Sequence, residues 1–408
     1  MNKGNAVTRS SGLWTTILLG AAAFLLVLAV VSAPESAFQA SLQALKLWWN
    51  IVFPALLPFL VLAEIIFAYG WAHGAGVFLD PFMRKTFNLP GLGGWVLITG
   101  MTAGFPAGAQ ASATMMKQGH LSPGDAERLA ALSHFCNPMT ILVVIGTGLL
   151  HQPAAGYLLL GVHWAAGLLA AWTYSLKRKK APGGKNEESS LSKPAGLVSP
   201  RVSMLTRAAN AASEARARDG RSFGRLLGDS VSRSVQTLMM TGGFIMIFAV
   251  IVKVLSGFFL SLVPPFVAAG LLEMHIGAKA VSEGSFTGSG FQMALLSAVL
   301  AWSGISAHLQ SLSALKISSP AWGVFAIKRL WHAFYAFCLT LILWKPAGSL
   351  TAAVLPAFGA VPHETLLQEQ FFSLWSGFHI LLQWQILTFV ILTILFWLVS
   401  KVISRRSL

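Results

Sequence analysis

Seven apolar segments, 13–33, 47–69, 132–150, 154–176, 235–262, 322–345 and 379–400, dominate the chain. Each approaches or exceeds the ~20 residues that a helix needs to cross a ~30 Å hydrocarbon layer. Backbone inside lipid must satisfy its own hydrogen bonds, so runs of this kind lead to an all-α polytopic membrane protein. Charge agrees, because only 11% of the 408 residues are charged where a soluble protein carries about 25%. Segment 13–33 follows Lys3 and Arg9 as a signal peptide would, but Ala33-Pro34 is a poor cleavage junction, so a retained span is expected.

The 29 Lys and Arg outnumber the 14 Asp and Glu, and the excess is concentrated in 177–225. A basic internal loop between apolar runs reads as a cytoplasmic segment that sets orientation, with the lipid bilayer as partner and no nucleic acid. Its Gly-, Ser- and Pro-rich first part and Ala/Arg-rich second part suggest a disordered or partly helical linker between two membrane halves. The organisation expected is an N-terminal span and connection (1–44), a first repeat (45–176), the linker (177–225), a second repeat (226–346) and a C-terminal segment with a last span (347–408). Cys136 and Cys338 both lie in apolar stretches, which argues against a disulfide framework or a thiolate metal site.

Two apolar regions break the pattern of simple spans. Residues 91–118 hold six glycines in their first part and Pro106 at their centre; Gly weakens a helix by ~1 kcal/mol and Pro by ~3. Residues 289–316 carry Ser303-Gly304-Ile305-Ser306 at their middle. Both read as two half-helices in a re-entrant hairpin. Counting positive charges supports this, since a full crossing at 91–118 would put the basic linker outside. The same count leaves Lys401, Arg405 and Arg406 outside unless 348–362 also crosses.

An offset of 200 places Gly104-Phe-Pro-Ala-Gly-Ala-Gln110 over Gly304-Ile-Ser-Ala-His-Leu-Gln310, matching Gly104 with Gly304, Ala107 with Ala307 and Gln110 with Gln310. Combined with hairpins that enter from opposite sides, this gives two inverted repeats with about seven spanning helices and two re-entrant hairpins. Secondary transporters are built this way and bind solute near the midplane. A half-helix beginning near Gly108 or Ser306 offers unpaired N–H groups and a positive dipole end, which suits a polar or anionic solute. The bland alternative is Gly100-xxx-Gly104-xxx-Gly108 as a close-packing helix face.

Isolated polar residues supply the remaining candidates. Glu64, in LVLAEIIFA, is an acid inside an apolar span and a candidate coupling site, or a neutral carboxyl near the interface. His134 and Asn137, before Pro138, mark a kink that either lines a site or only packs. His308 and Gln310 follow the second break with Ser311 and Ser313. Lys328, Arg329 and His332 open the span 322–345, where cations either face a vestibule or snorkel to headgroups. The candidate solute set is therefore Gly104, Pro106, Gly108, Gln110, His134, Asn137, Ser303, Gly304, Ser306, His308 and Gln310, with Glu64 for coupling. No HExxH, GxSxG or Walker A pattern occurs, and the histidines lack metal spacing. Neither an enzyme nor a bound cofactor is expected.

Gly104-Phe105-Pro106-Ala107-Gly108-Ala109, then Lys117-Gln118-Gly119, Phe135-Cys136-Asn137 and Trp302-Ser303-Gly304-Ile305-Ser306-Ala307-His308-Leu309-Gln310, resemble the motifs of sporulation integral membrane proteins with paired Gate (nucleoside-recognition) domains. Leu272-Glu273-Met274 extends the likeness to roughly 45–345. Pro138 departs from it, standing where a small residue or Asn is expected. The resemblance implies a bacterial multi-pass protein of spore maturation, in the branch that moves dipicolinic acid from mother cell toward forespore. Gate domains also serve nucleoside carriers and ferrous iron channels, so a nucleoside or metal-ion carrier, or a non-transporting scaffold, are the alternatives. A homo-oligomer is compatible with each.

Overall fold

A computed structural model describes residues 4–176, 203–258, 264–315, 322–354 and 383, and within these the chain is helical without a strand. The span expected at 379–400 lies outside the described residues apart from Gln383.

The first half opens with α1 (Gly4–Ser32) and α2 (Pro34–Leu47). A π-helical turn, 48–52, carries α2 into α3 (Phe53–Ala68). Then come α4 (Trp71–Phe87), α5 (Gly93–Ala103), α6 (Ala107–Lys117) and α7 (Pro123–Leu132). A π-helical stretch, 140–149, precedes α8 (Pro153–Leu176). In the second half, α9 (Met204–Asp219) leads to α10 (Phe223–Phe258), α11 (Pro265–Leu272), α12 (Met274–Ser282), α13 (Ser289–Trp302), α14 (Gly304–Leu315) and α15 (Trp322–Val354).

Five stretches are long and apolar enough to cross a membrane among the described residues: Pro34–Ala68, Pro153–Leu176, Phe223–Ser256, Ser289–Leu315 and Trp322–Lys345. Large apolar side chains stay exposed along them and along α1, as at Leu18, Ile247 and Ile342. Such a surface is costly in water and suits lipid. The chain is thus a multi-pass membrane protein.

The expected span 132–150 is corrected. Residues 134–137 belong to no helix and lie between α7 and a 10-residue π stretch, Thr140–Leu149, too short to cross alone. Pro138 lacks a donor and disfavours helical geometry at Asn137, and Asn137 Oδ1 instead accepts the Thr140 amide at 2.8 Å. The sequence marks a kink here at Pro138, but the apolar residues on both sides hide that the helix ends. Spans elsewhere begin earlier than expected: the run at 47–69 starts at Pro34, and the one at 235–262 at Phe223.

Both hairpin regions are broken where glycine and proline placed the breaks. Gly104 (φ 79°, ψ −168°) ends α5 in a conformation open mainly to glycine, and Pro106 precedes α6. Ser303 (φ 69°) and Gly304 (φ 80°) separate α13 from α14. The halves then differ. α5 packs on α6, whereas α13 turns to α15 and α12 while α14 runs to α6 and α11.

In the linker, the Ala/Arg-rich part is a complete helix. Ser203 caps α9 by accepting the Thr206 amide at 3.1 Å, and Gly220 (φ 64°) closes its C-terminus. α9 lies against α4, so close that a Cβ on Gly70 would stand 2.1 Å from the Ala212 carbonyl oxygen. Residues 177–202 lie outside the described residues.

Candidate functional site

Each break seats against a second interruption of helix. A Cβ on Gly104 would meet the Asn137 amide nitrogen at 2.8 Å, and one on Gly304 would meet Glu273 Cα at 2.9 Å. Gly108 is similarly pressed on Ser133, whose Oγ would lie 2.5 Å from an added Cβ. The first break is therefore clasped by 133–137 and the second by the turn between α11 and α12. In the first half the clasping interruption follows the break, and in the second it precedes it.

Glu273 forms that second turn. Its carboxylate caps α12 by accepting the Ile276 amide at 2.9 Å and meets His275 Nδ1 at 2.8 Å. Both side chains are buried, and they hold an extended residue (φ −147°) inside the packed helices while His275 Nε2 is left without a partner.

His134 joins the two halves. Its Nε2 lies 2.7 Å from Ser303 Oγ and its Nδ1 2.9 Å from Ser311 Oγ. Phe105 stacks on the ring, 4.7 Å between centroids and 15° apart in plane. The Ser303 hydroxyl donates to the Trp302 carbonyl, so Ser303 Oγ accepts the His134 Nε2 proton and Nδ1 accepts from Ser311. His308 Nε2 also donates to the Trp302 carbonyl, at 2.8 Å. That leaves His308 Nδ1 buried with no partner.

A second buried polar group lies beside this cluster. Arg329, only 3% exposed, donates from Nη1 to the His134 carbonyl at 2.6 Å and from Nη2 to the Ala131 carbonyl at 2.7 Å. These are orphan carbonyls at and just past the C-terminus of α7, where the helix dipole favours a cation. Nη1 also reaches His332 Nδ1 at 3.1 Å. Because Arg only donates, His332 Nδ1 accepts and its Nε2 donates to the His163 carbonyl at 2.8 Å. No carboxylate pairs with Arg329 among the described residues, which leaves a buried positive charge next to the joined breaks.

The candidates from the sequence divide accordingly. Gly104, His134, Asn137, Ser303, Gly304 and His308 come together, with Pro106 at the edge of the break. Ser306 is buried and Gln310 Nε2 donates to its Oγ at 3.3 Å. Gln110 is exposed. Asn137 serves as a helix cap through its carbonyl oxygen. Glu64 belongs to a separate network, 2.7 Å from Arg233 and 3.9 Å from Arg221. Arg329 and His332 do not snorkel; both are buried. His163, His275, Glu273 and Arg329 were missed as site residues, although an Arg seven residues into a span was itself a signal of function.

Residues 50–153 match the family model described as Gate, nucleoside recognition. Over 350 residues the chain is 34% identical to sporulation integral membrane protein YlbJ of Bacillus subtilis (strain 168), covering 81% of this chain and 83% of that one. No solved structure matches. Identity of that extent runs through both broken-helix regions, and the chain belongs to the family of sporulation integral membrane proteins that carry the Gate domain.

Proposed function

We propose that the protein is a carrier for a small anionic solute, with dipicolinate as the solute that family membership suggests. The observation that carries this reading is Arg329, a buried guanidinium without an acid, bonded to the same His134 that ties the two breaks together. An anion at the breaks would meet that positive field in a low-dielectric setting, where it acts more strongly than in water. In this reading the two repeats are inverted and alternating access opens the cluster to one side at a time.

One feature of the cluster favours a different solute. With Nε2 donating to the Trp302 carbonyl, neutral His308 has Nδ1 as an acceptor and cannot donate from it to a carboxylate. A nucleoside base, with N–H donors, would satisfy it directly. Dipicolinate would need the imidazolium form or a tautomer shift. Uptake of labelled dipicolinate into vesicles holding purified protein tests the proposal. Uptake blocked by excess unlabelled dipicolinate supports it; uptake of nucleosides with indifference to dipicolinate selects the second reading, and no uptake of either favours a scaffold.

The coupling role of Glu64 belongs to the same proposal. Its carboxylate already has two cationic partners, an arrangement that also suits an anchor for α9 and α10.

A further inference from the structure

A cavity of about 470 Å³ opens between α7, α8 and the start of α15, with Arg329 on its wall. We infer that it is a second anion site, which takes a small carboxylate with a flat, apolar body from the aqueous side before the solute reaches the breaks. Its size falls within the range of small-molecule sites. Leu132 and Ala171 stand on its apolar wall, and Arg128, Lys328, Arg329 and Tyr174 carry its polar groups.

Charge decides the class of ligand. Arg128 is neutralised by Asp125 at 3.0 Å and donates to the Phe87 and Asn88 carbonyls. Lys328 and Arg329 have no acid within ion-pair distance among the described residues, and Glu127 is the single acid on the wall. Two unbalanced cations against one acid leave the cavity positive. The Lys328 ammonium stands over the face of the Tyr174 ring, 5.0 Å from its centre, so the cation and the aromatic ring occupy one place on the wall. A planar aromatic carboxylate uses both. Arg329 links the sites, since its Nη groups hold Ala131 and His134 while the same side chain lines the cavity. The positive cavity stands without the carrier reading; dipicolinate as its occupant rests on that reading.

The test uses Ala171→Cys in the full chain with Cys338→Ala, leaving the buried Cys136 in place. Anionic (sulfonatoethyl) and cationic (trimethylammonioethyl) thiosulfonate reagents are compared, each rate taken relative to a free thiol. The anionic reagent is expected to react about tenfold faster than the cationic one, Lys328→Glu to reverse the order, and dipicolinate to slow labelling. Equal rates, no labelling, or a preference that survives Lys328→Glu would overturn the site. Slowing by phosphatidylglycerol vesicles but not by dipicolinate would assign the cavity to a lipid headgroup and overturn the soluble ligand. Ser303→Ala, at the breaks, separates the two readings: charge preference and protection should persist in it even if uptake is lost. Uptake absent in the wild type with protection intact would count against the carrier and leave the cavity standing.

Discussion

His134 Nε2 and Ser303 Oγ, 169 residues apart in sequence, stand 2.7 Å from one another. That hydrogen bond is where the break of the second half meets the clasp of the first. With Ser311 on Nδ1, the imidazole is satisfied at both nitrogens, so it works as a rivet between halves whose relative position any alternating-access cycle must change.

Ser303→Ala should therefore leave a buried His nitrogen unpaired and cost ~1–3 kcal/mol. His134→Ala should cost more, because the ring also stacks on Phe105. The double variant should be less destabilised than the sum of the two. Thermal unfolding in detergent of the four proteins measures this, and strict additivity would show that the halves are not coupled here.

Arg329→Lys should be nearly as damaging as Arg329→Gln. One ammonium cannot reproduce a planar fork that reaches the Ala131 and His134 carbonyls and His332 together. Each substitution leaves buried acceptors unpaired at ~1–3 kcal/mol apiece. Unfolding temperatures that fall for Gln but stay at the wild-type value for Lys would show that charge alone matters.

The helical class, the two breaks and the Gly104–Gly304 correspondence were legible in the sequence because lipid imposes length and apolarity, and because glycine and proline act locally. The interruption at 134–137 was legible only as a kink, since Pro138 marks the place while the apolar residues on either side hide that the helix stops there. Arg329 looked like a snorkelling cation because its partners, the carbonyls of Ala131 and His134, are nearly 200 residues away. Local pattern locates a buried charge without showing what receives it. The dock of α9 was hidden for a related reason: a helix rich in Arg and Ala shows its partner only through the glycines on the opposite face.

Gly70→Ala should unseat α9. The residue has φ 79° and no room for a Cβ beside Ala212, so both strain and overlap oppose the change. The expected result is faster tryptic cleavage between 203 and 222 with α10 to α15 still protected. Unchanged cleavage would mean that α4 and α9 separate freely in the wild type.

Acid should loosen the same contact. The Asp219 carboxyl is held below its ordinary value, chiefly by the hydrogen bond from Arg221, with Arg216 adding. A carboxyl whose value is lowered on folding contributes stability above the ordinary carboxylate value and loses it as pH falls through the lowered one. Hydrogen exchange of α9, corrected for its intrinsic pH dependence, should be slow at pH 7 and rise toward pH 3, and Asp219→Asn should be fast throughout. The pair is partly exposed, so about 1 kcal/mol is the ceiling expected.

Glu64→Gln separates anchor from coupling residue. Its carboxylate accepts Arg233 at 2.7 Å and stands 3.9 Å from Arg221, which also bonds Asp219 and Asp229. An amide keeps the shape but not the charge. If Glu64 only anchors, Gln should speed exchange in α9 and at the start of α10 while the pH profile of uptake keeps its form. If it carries the coupling proton, uptake should fall and its pH dependence flatten with exchange in α9 unchanged, because a proton-coupled carboxyl must leave its arginines during the cycle. Measuring both quantities on one preparation decides the matter, since the two roles predict opposite members of the pair to change.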